Sequence, residues 1–90
     1  MQYEARRWFV SGRVQGVGFR WFVQNSANRL GVRGWVRNDD DGRVQVYAVG
    51  TPDQLNELAG LLHQGPRMAE VRGVEEHEAT VQQLNSFRSE

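Results

Sequence analysis

At 90 residues the chain has the length of one domain with a single core, and 39% hydrophobic and 24% charged residues are ordinary for a globular protein. Its 11 basic and 11 acidic side chains cancel, which argues against a nucleic-acid partner, because such a partner demands a basic face that displaces counterions. Cysteine and lysine are both absent, which excludes disulfides, thiolate metal sites, thiol nucleophiles and Schiff-base chemistry.

The chain opens Met1-Gln2-Tyr3-Glu4-Ala5-Arg6-Arg7 with no apolar secretory segment. No apolar run approaches the ~20 residues of a membrane span. A cytoplasmic location without membrane attachment is expected. Residues 7–14 alternate, with Trp8, Val10, Gly12 and Val14 on one side and Arg7, Phe9, Ser11 and Arg13 on the other. This pattern predicts a half-buried strand. After a glycine-rich passage, Phe19, Phe22, Val23, Ala27 and Leu30 recur at spacings of three and four. They predict an amphipathic helix over 19–30, stopped by Gly31. Trp21 falls off that stripe, beside the preceding loop.

Val32 to Asn38 reads as a second strand, with Val32, Gly34, Val36 and Asn38 on one face. Asp39-Asp40-Asp41-Gly42 is a turn with the Asp-Gly hairpin signal. The third strand carries Val44, Val46 and Ala48 on one face and Gln45, Tyr47 and Val49 on the other. Thr51-Pro52-Asp53-Gln54 starts a second helix: Thr51 caps, Pro52 fits the first turn, and Gln54 completes a capping box. Leu55, Leu58, Ala59 and Leu62 form its buried stripe, and Gly65-Pro66 ends it. A further strand covers Ala69 to His77, with a bulge expected at Gly73. Residues 79–90 are weakly patterned, and Phe87 is the anchor of a short terminal strand.

The order β-α-β-β-α-β, without repeats or linkers, predicts one domain over residues 1–90. Its class is α+β, a ferredoxin-like split βαβ sandwich in which two helices cover one face of an antiparallel sheet of four to five strands. In that topology the first two strands are parallel with the third between them. The loop after residue 14 and Asn38 therefore share one rim.

The glycines of Gln15-Gly16-Val17-Gly18 let main-chain N–H groups turn inward at a helix start, a concavity that favours an anion. Arg20 adds a planar charged fork suited to phosphate oxygens. A tight strand–helix connection explains the glycines equally well. Two features favour an anion: there is more glycine than a short connection needs, and Arg20 sits in the first helical turn, where a cation opposes the helix dipole. The loop lacks the Gly-Lys-Ser/Thr of a nucleotide P-loop and the third glycine of a dinucleotide fingerprint. Asn38, at a strand end before a turn, is explained by local hydrogen bonding alone. Asp39–Asp41 read as a solvated hairpin tip rather than a Ca²⁺ or Mg²⁺ site, and His63 and His77 as solvent-facing. Gly18-Phe19-Arg20-Trp21-Phe22-Val23 is similar to an RNA-recognition strand, but its three-and-four spacing assigns the aromatics to a helix. With no nucleophile or metal cluster, hydrolysis here must rest on positioning and electrostatics. That suits an acyl phosphate, whose carboxylate leaves readily.

The blocks Gly12-Arg13-Val14-Gln15-Gly16-Val17-Gly18-Phe19-Arg20 and Gly34-Trp35-Val36-Arg37-Asn38, followed by Asp41-Gly42, resemble the two signature blocks of the acylphosphatases. The resemblance spans nearly the whole chain and implies the same split βαβ sandwich. It implies that Arg20 binds the phosphoryl group together with the main-chain amides of Gln15, Gly16, Val17, Gly18, Phe19 and Arg20. It also implies that Asn38 orients the attacking water. The reaction implied turns an acyl phosphate and water into carboxylate and inorganic phosphate. No metal or organic cofactor is implied, and a monomer is expected. The rival reading is a non-catalytic phosphate- or acyl-phosphate-binding module, similar to the acylphosphatase-like domains fused to larger carbamoyl-phosphate-using enzymes. Asp39 departs from the uncharged residue usual after the asparagine, and alternation puts it on the opposite side of the strand. The terminal Phe87-Arg88-Ser89-Glu90 lacks the usual apolar residue after the aromatic, so a short last strand is expected.

Overall fold

Alternating residues form strand β1 (Glu4–Arg13) in the computed structural model, which describes residues 2–90. The strand begins three residues before the clear alternation because Glu4, Ala5 and Arg6 already pair with Gly50, Val49 and Ala48. Helix α1 (Phe19–Leu30) follows, buries Phe19, Val23 and Ala27, and ends at Gly31, whose N–H reaches back to the Ala27 carbonyl. Strands β2 (Arg33–Asn38) and β3 (Val44–Gly50) form a hairpin, helix α2 (Pro52–Gln64) returns across the sheet, and strands β4 (Glu70–Ala79) and β5 (Phe87–Ser89) complete it.

The strand order is β4-β1-β3-β2-β5. Both β1 and β2 run antiparallel to β3, so they are parallel to each other with β3 between them, as the topology predicts. All seven residues of β3 are buried, which fits its place at the centre of the sheet. The expectation of a wholly antiparallel sheet needs correcting, because β5 pairs parallel to β2, Gly34 to Phe87 through Val36 to Ser89. The sheet is mixed. On β4 the register shifts opposite Ser11 and Gly12, skipping Arg72 beside Gly73. This is the expected bulge. At Gly34 the φ of 150° and the Tyr47 carbonyl where a Cβ would stand leave room for glycine alone, which lets β2 lie close against β3.

Both helices lie on the face carrying Trp8, Val10, Val36, Val46 and Ala48, and Leu55, Leu58 and Leu62 of α2 fill the same core. Burying each such leucine stabilises the fold by about 1.5–3 kcal/mol. The opposite face is covered differently. There Trp35 stacks on Tyr47 with ring centroids 5.7 Å apart, and the Arg7 guanidinium lies 5.7–5.8 Å from both rings. The Tyr47 hydroxyl donates to the Thr80 carbonyl at 2.6 Å and accepts from the Gln82 N–H at 2.8 Å. These bonds, with Leu84 packed beside Tyr47, hold the weakly patterned stretch after β4 across the sheet.

Candidate active site

Between β1 and α1 the chain turns through Gly16 and Gly18, with φ of 74° and 81°. Both lie in the left-handed region that glycine reaches without a Cβ penalty. Gly18 is the N-cap of α1, so no side chain caps this helix, and its first turn holds no acidic residue. Among the described residues, no main-chain carbonyl accepts from the N–H groups of residues 15–20 outside regular elements. A row of free donors thus meets the positive end of a helix dipole.

A cleft of about 300 Å³ opens over these donors, lined by Gly16, Gly18, Phe19 and Arg20, with Asn38 contributed by the end of β2. No aspartate or glutamate side chain lines it. Its electrostatics are therefore those of an anion site. Five of the seven predicted site residues meet here. Val17 instead packs against the core, and the Gln15 side chain is occupied elsewhere. Its Nε2 donates to the carbonyls of Asp39 at 2.8 Å and Arg43 at 2.9 Å. That clamp ties the glycine loop to the hairpin bearing Asn38, and it commits the Gln15 side-chain amide nitrogen, leaving the main-chain N–H as the donor Gln15 can offer an anion.

Arg20 is anchored from the far end of the sequence. Its Nη1 donates to the Glu90 main-chain oxygen at 2.7 Å, and the Glu90 N–H donates in turn to the Val36 carbonyl at 2.8 Å. One nitrogen of the guanidinium is thereby fixed, leaving Nε and Nη2 as a fork. Asp39 sits beyond the cleft lining, with its carboxylate 3.5 Å from the Arg37 Nε. Asp39 falls just past the end of β2, and its charge pairs with Arg37 rather than lining the cleft. Asp41 closes the hairpin tip. It accepts from the Arg43 N–H at 3.0 Å and the Arg43 Nε at 2.9 Å, and chiefly the main-chain bond lowers its pKa below the usual 3.8.

Sequence reasoning missed several features of this site. Ser89 and Gln24 line the cleft, and Gln24 Nε2 donates to the Phe87 carbonyl at 3.4 Å. Trp21, placed off the buried stripe by its spacing, also lines the cleft and is 69% exposed. The anchoring of Arg20 by Glu90 and the Gln15 clamp join residues too distant in sequence for any local pattern to signal. His77 contacts the Glu75 carboxylate on the exposed part of β4, a pairing the sequence reading did not expect, and neither residue lines the cleft. Among the described residues no three histidine, aspartate or glutamate side chains converge as a metal site requires. No helix is long and apolar enough to cross a membrane.

Comparisons with known proteins bear on this geometry. The acylphosphatase family model matches residues 6–89. A relative from Solibacter usitatus named acylphosphatase is 61% identical over 85 residues, covering 94% of this chain and 88% of the relative. Among solved structures, an acylphosphatase from Coxiella burnetii matches with a TM-score of 0.94 at 36% identity, covering 98% of this chain and 93% of that one. Acylphosphatase from Bacillus subtilis matches with a TM-score of 0.93 at 35% identity, over 98% of both chains.

Proposed function

This chain belongs to the acylphosphatase family, and we propose that Arg20, the main-chain amides of residues 15–20 and Asn38 perform its reaction. The activity is hydrolysis of the mixed anhydride between a carboxylate and phosphate. The phosphoryl oxygens accept hydrogen bonds from the loop amides and, in bidentate fashion, from Nε and Nη2 of Arg20. Asn38 accepts a hydrogen bond from the attacking water through its carboxamide oxygen and points that water at phosphorus. As the water oxygen bonds to phosphorus, the bond from phosphorus to the acyl oxygen breaks, and the carboxylate leaves with the electron pair. The water proton passes to a phosphoryl oxygen. Charge in a loose transition state rests on the phosphoryl oxygens and the leaving carboxylate. Preorganised donors stabilise the first, and the second needs no acid because a carboxylate is a weak base. No step is routed through a metal or organic cofactor.

One observation supports this reading above the rest: a single cleft without acidic side chains gathers the glycine loop, Arg20 and Asn38. The substrate is a small acyl phosphate and a product is inorganic phosphate. We read residues 1–90 as one domain acting as a monomer in the cytoplasm. The test is hydrolysis of acetyl phosphate in ¹⁸O-water with a chelator present. Attack at phosphorus puts the label in phosphate, whereas label in acetate refutes the mechanism.

A further inference from the structure

Three tryptophans occur in the chain, and two are fully employed by the fold. Trp8 is buried and donates from its Nε1 to the Glu76 carboxylate at 2.7 Å. Trp35 stacks on Tyr47, with the Arg37 guanidinium 4.8 Å from its ring centroid. Trp21 differs from both. It is 69% exposed, and among the described residues no aromatic or cationic side chain stacks on it. Large indole rings are mostly buried in folded proteins, so a bare one on the wall of a cleft calls for a ligand.

Chemistry narrows what that ligand is. Three apolar side chains line the cleft, Val14, Phe19 and Trp21, but Val14 and Phe19 are each only 1% exposed. Among these three, Trp21 is therefore the one apolar side chain exposed to a ligand. Its neighbour in sequence, Arg20, holds the phosphoryl group on the reading above, and the cleft has room beyond a phosphoryl group for the attached acyl substituent. An in-line displacement sends the leaving group away from the attacking water, hence away from Asn38 on β2. Trp21 belongs to the other wall, α1.

We propose that Trp21 is the acyl-binding wall of the cleft and selects planar, apolar acyl groups, aryl carboxyl phosphates above all. This proposal rests on the phosphoryl site described above. The indole face packs against the planar acyl group by offset stacking and removes apolar area from water. A methyl group, small and not planar, gains little from the same face. Specificity toward the acyl substituent then resides in one side chain, while the loop and Arg20 bind the phosphoryl group common to all substrates.

The experiment compares benzoyl phosphate and acetyl phosphate as substrates for the wild type, Trp21→Ala and Trp21→Phe. In Trp21→Ala the ratio of kcat/KM for benzoyl over acetyl phosphate falls about tenfold, mainly through KM for benzoyl phosphate. Trp21→Phe recovers most of that ratio, and inhibition by inorganic phosphate changes less than twofold in either variant. The exposed position keeps both variants folded, which circular dichroism verifies. An unchanged ratio, or a phenylalanine variant no better than the alanine one, overturns the proposal while leaving the phosphoryl site standing. Failure of the wild type to hydrolyse either substrate overturns the site reading and this proposal together.

Discussion

The two helices begin in opposite ways. Helix α2 satisfies itself: the Thr51 hydroxyl accepts from the Gln54 N–H at 3.2 Å, and the Gln54 carboxamide oxygen accepts from the Thr51 N–H at 2.8 Å. Pro52 occupies a position that needs no donor, and Asp53 complements the dipole. Gln54 even spends its Nε2 on the Leu30 carbonyl at the end of α1. Helix α1 has none of this. Its cap is Gly18, no side chain serves its first amides, and its first turn carries Arg20 where an acid would be stabilising. A cation there costs about 0.3–1 kcal/mol against the dipole. The difference separates a helix start that satisfies itself from one left uncapped, and on the proposed function a phosphoryl anion bound there reverses the penalty.

Removing Arg20 breaks that comparison most severely. In Arg20→Gln, kcat/KM for acetyl phosphate falls by at least 10²–10³-fold, the usual loss for one preorganised donor. The rise in thermal stability that phosphate gives the wild type through binding the native state also disappears. Asn38→Ala is the counterpart on the β2 side. Its turnover falls about 10²-fold through a misplaced water, yet the stabilisation by phosphate persists. Most of the activity surviving in Arg20→Gln would refute the anion site. Loss of phosphate stabilisation in Asn38→Ala would make Asn38 a turn residue instead.

Thr51→Ala sharpens the comparison from the other side. Losing a capping box costs about 1 kcal/mol, which lowers Tm by roughly 4–8 °C for a domain of this size. Activity at temperatures well below the transition stays at the wild-type level, because Thr51 lies outside the cleft. A drop in kcat/KM beyond twofold, measured beside the melting curve, would contradict the division of roles between the two helix starts.

Both starts were visible in the sequence because their signals are local. A capping box links residues three apart, and the glycine loop announces itself over a few positions. Strand alternation and the order of elements carried the topology far enough to bring Asn38 to the rim of the loop. What holds the α1 start in place was not visible. Gln15 reaches carbonyls 24 and 28 residues away, and Arg20 reaches an oxygen 70 residues away. Neither contact leaves a periodicity along the chain. The parallel pairing of β5 and the stretch held by the Tyr47 hydroxyl escaped for the same reason: three residues are too few for alternation to specify register. Trp21 was half legible, since its place off the stripe implied exposure but gave no cleft for the ring to line.

Because α1 is propped from outside, its start depends on the β2–β3 hairpin as the self-capped α2 does not, and Asp41 gives that dependence a pH signature. The Arg43 main-chain N–H holds the Asp41 pKa below its ordinary 3.8, and the Arg43 carbonyl is one of the two that Gln15 grips. A carboxylate with a depressed folded-state pKa contributes stability that is fully present above the unfolded value and lost as pH falls through the folded one. Asp41→Asn removes the charge throughout. The variant is therefore less stable than the wild type at pH 7, and the gap between their urea midpoints narrows as pH falls below 3.8. The Asp41 side chain is exposed to solvent, so this effect is smaller than that of Thr51→Ala. Urea titrations of both proteins at pH 7 and pH 3 measure it. A gap that stays constant or widens toward acid would mean that the Asp41 charge does not brace the hairpin on which the α1 start leans.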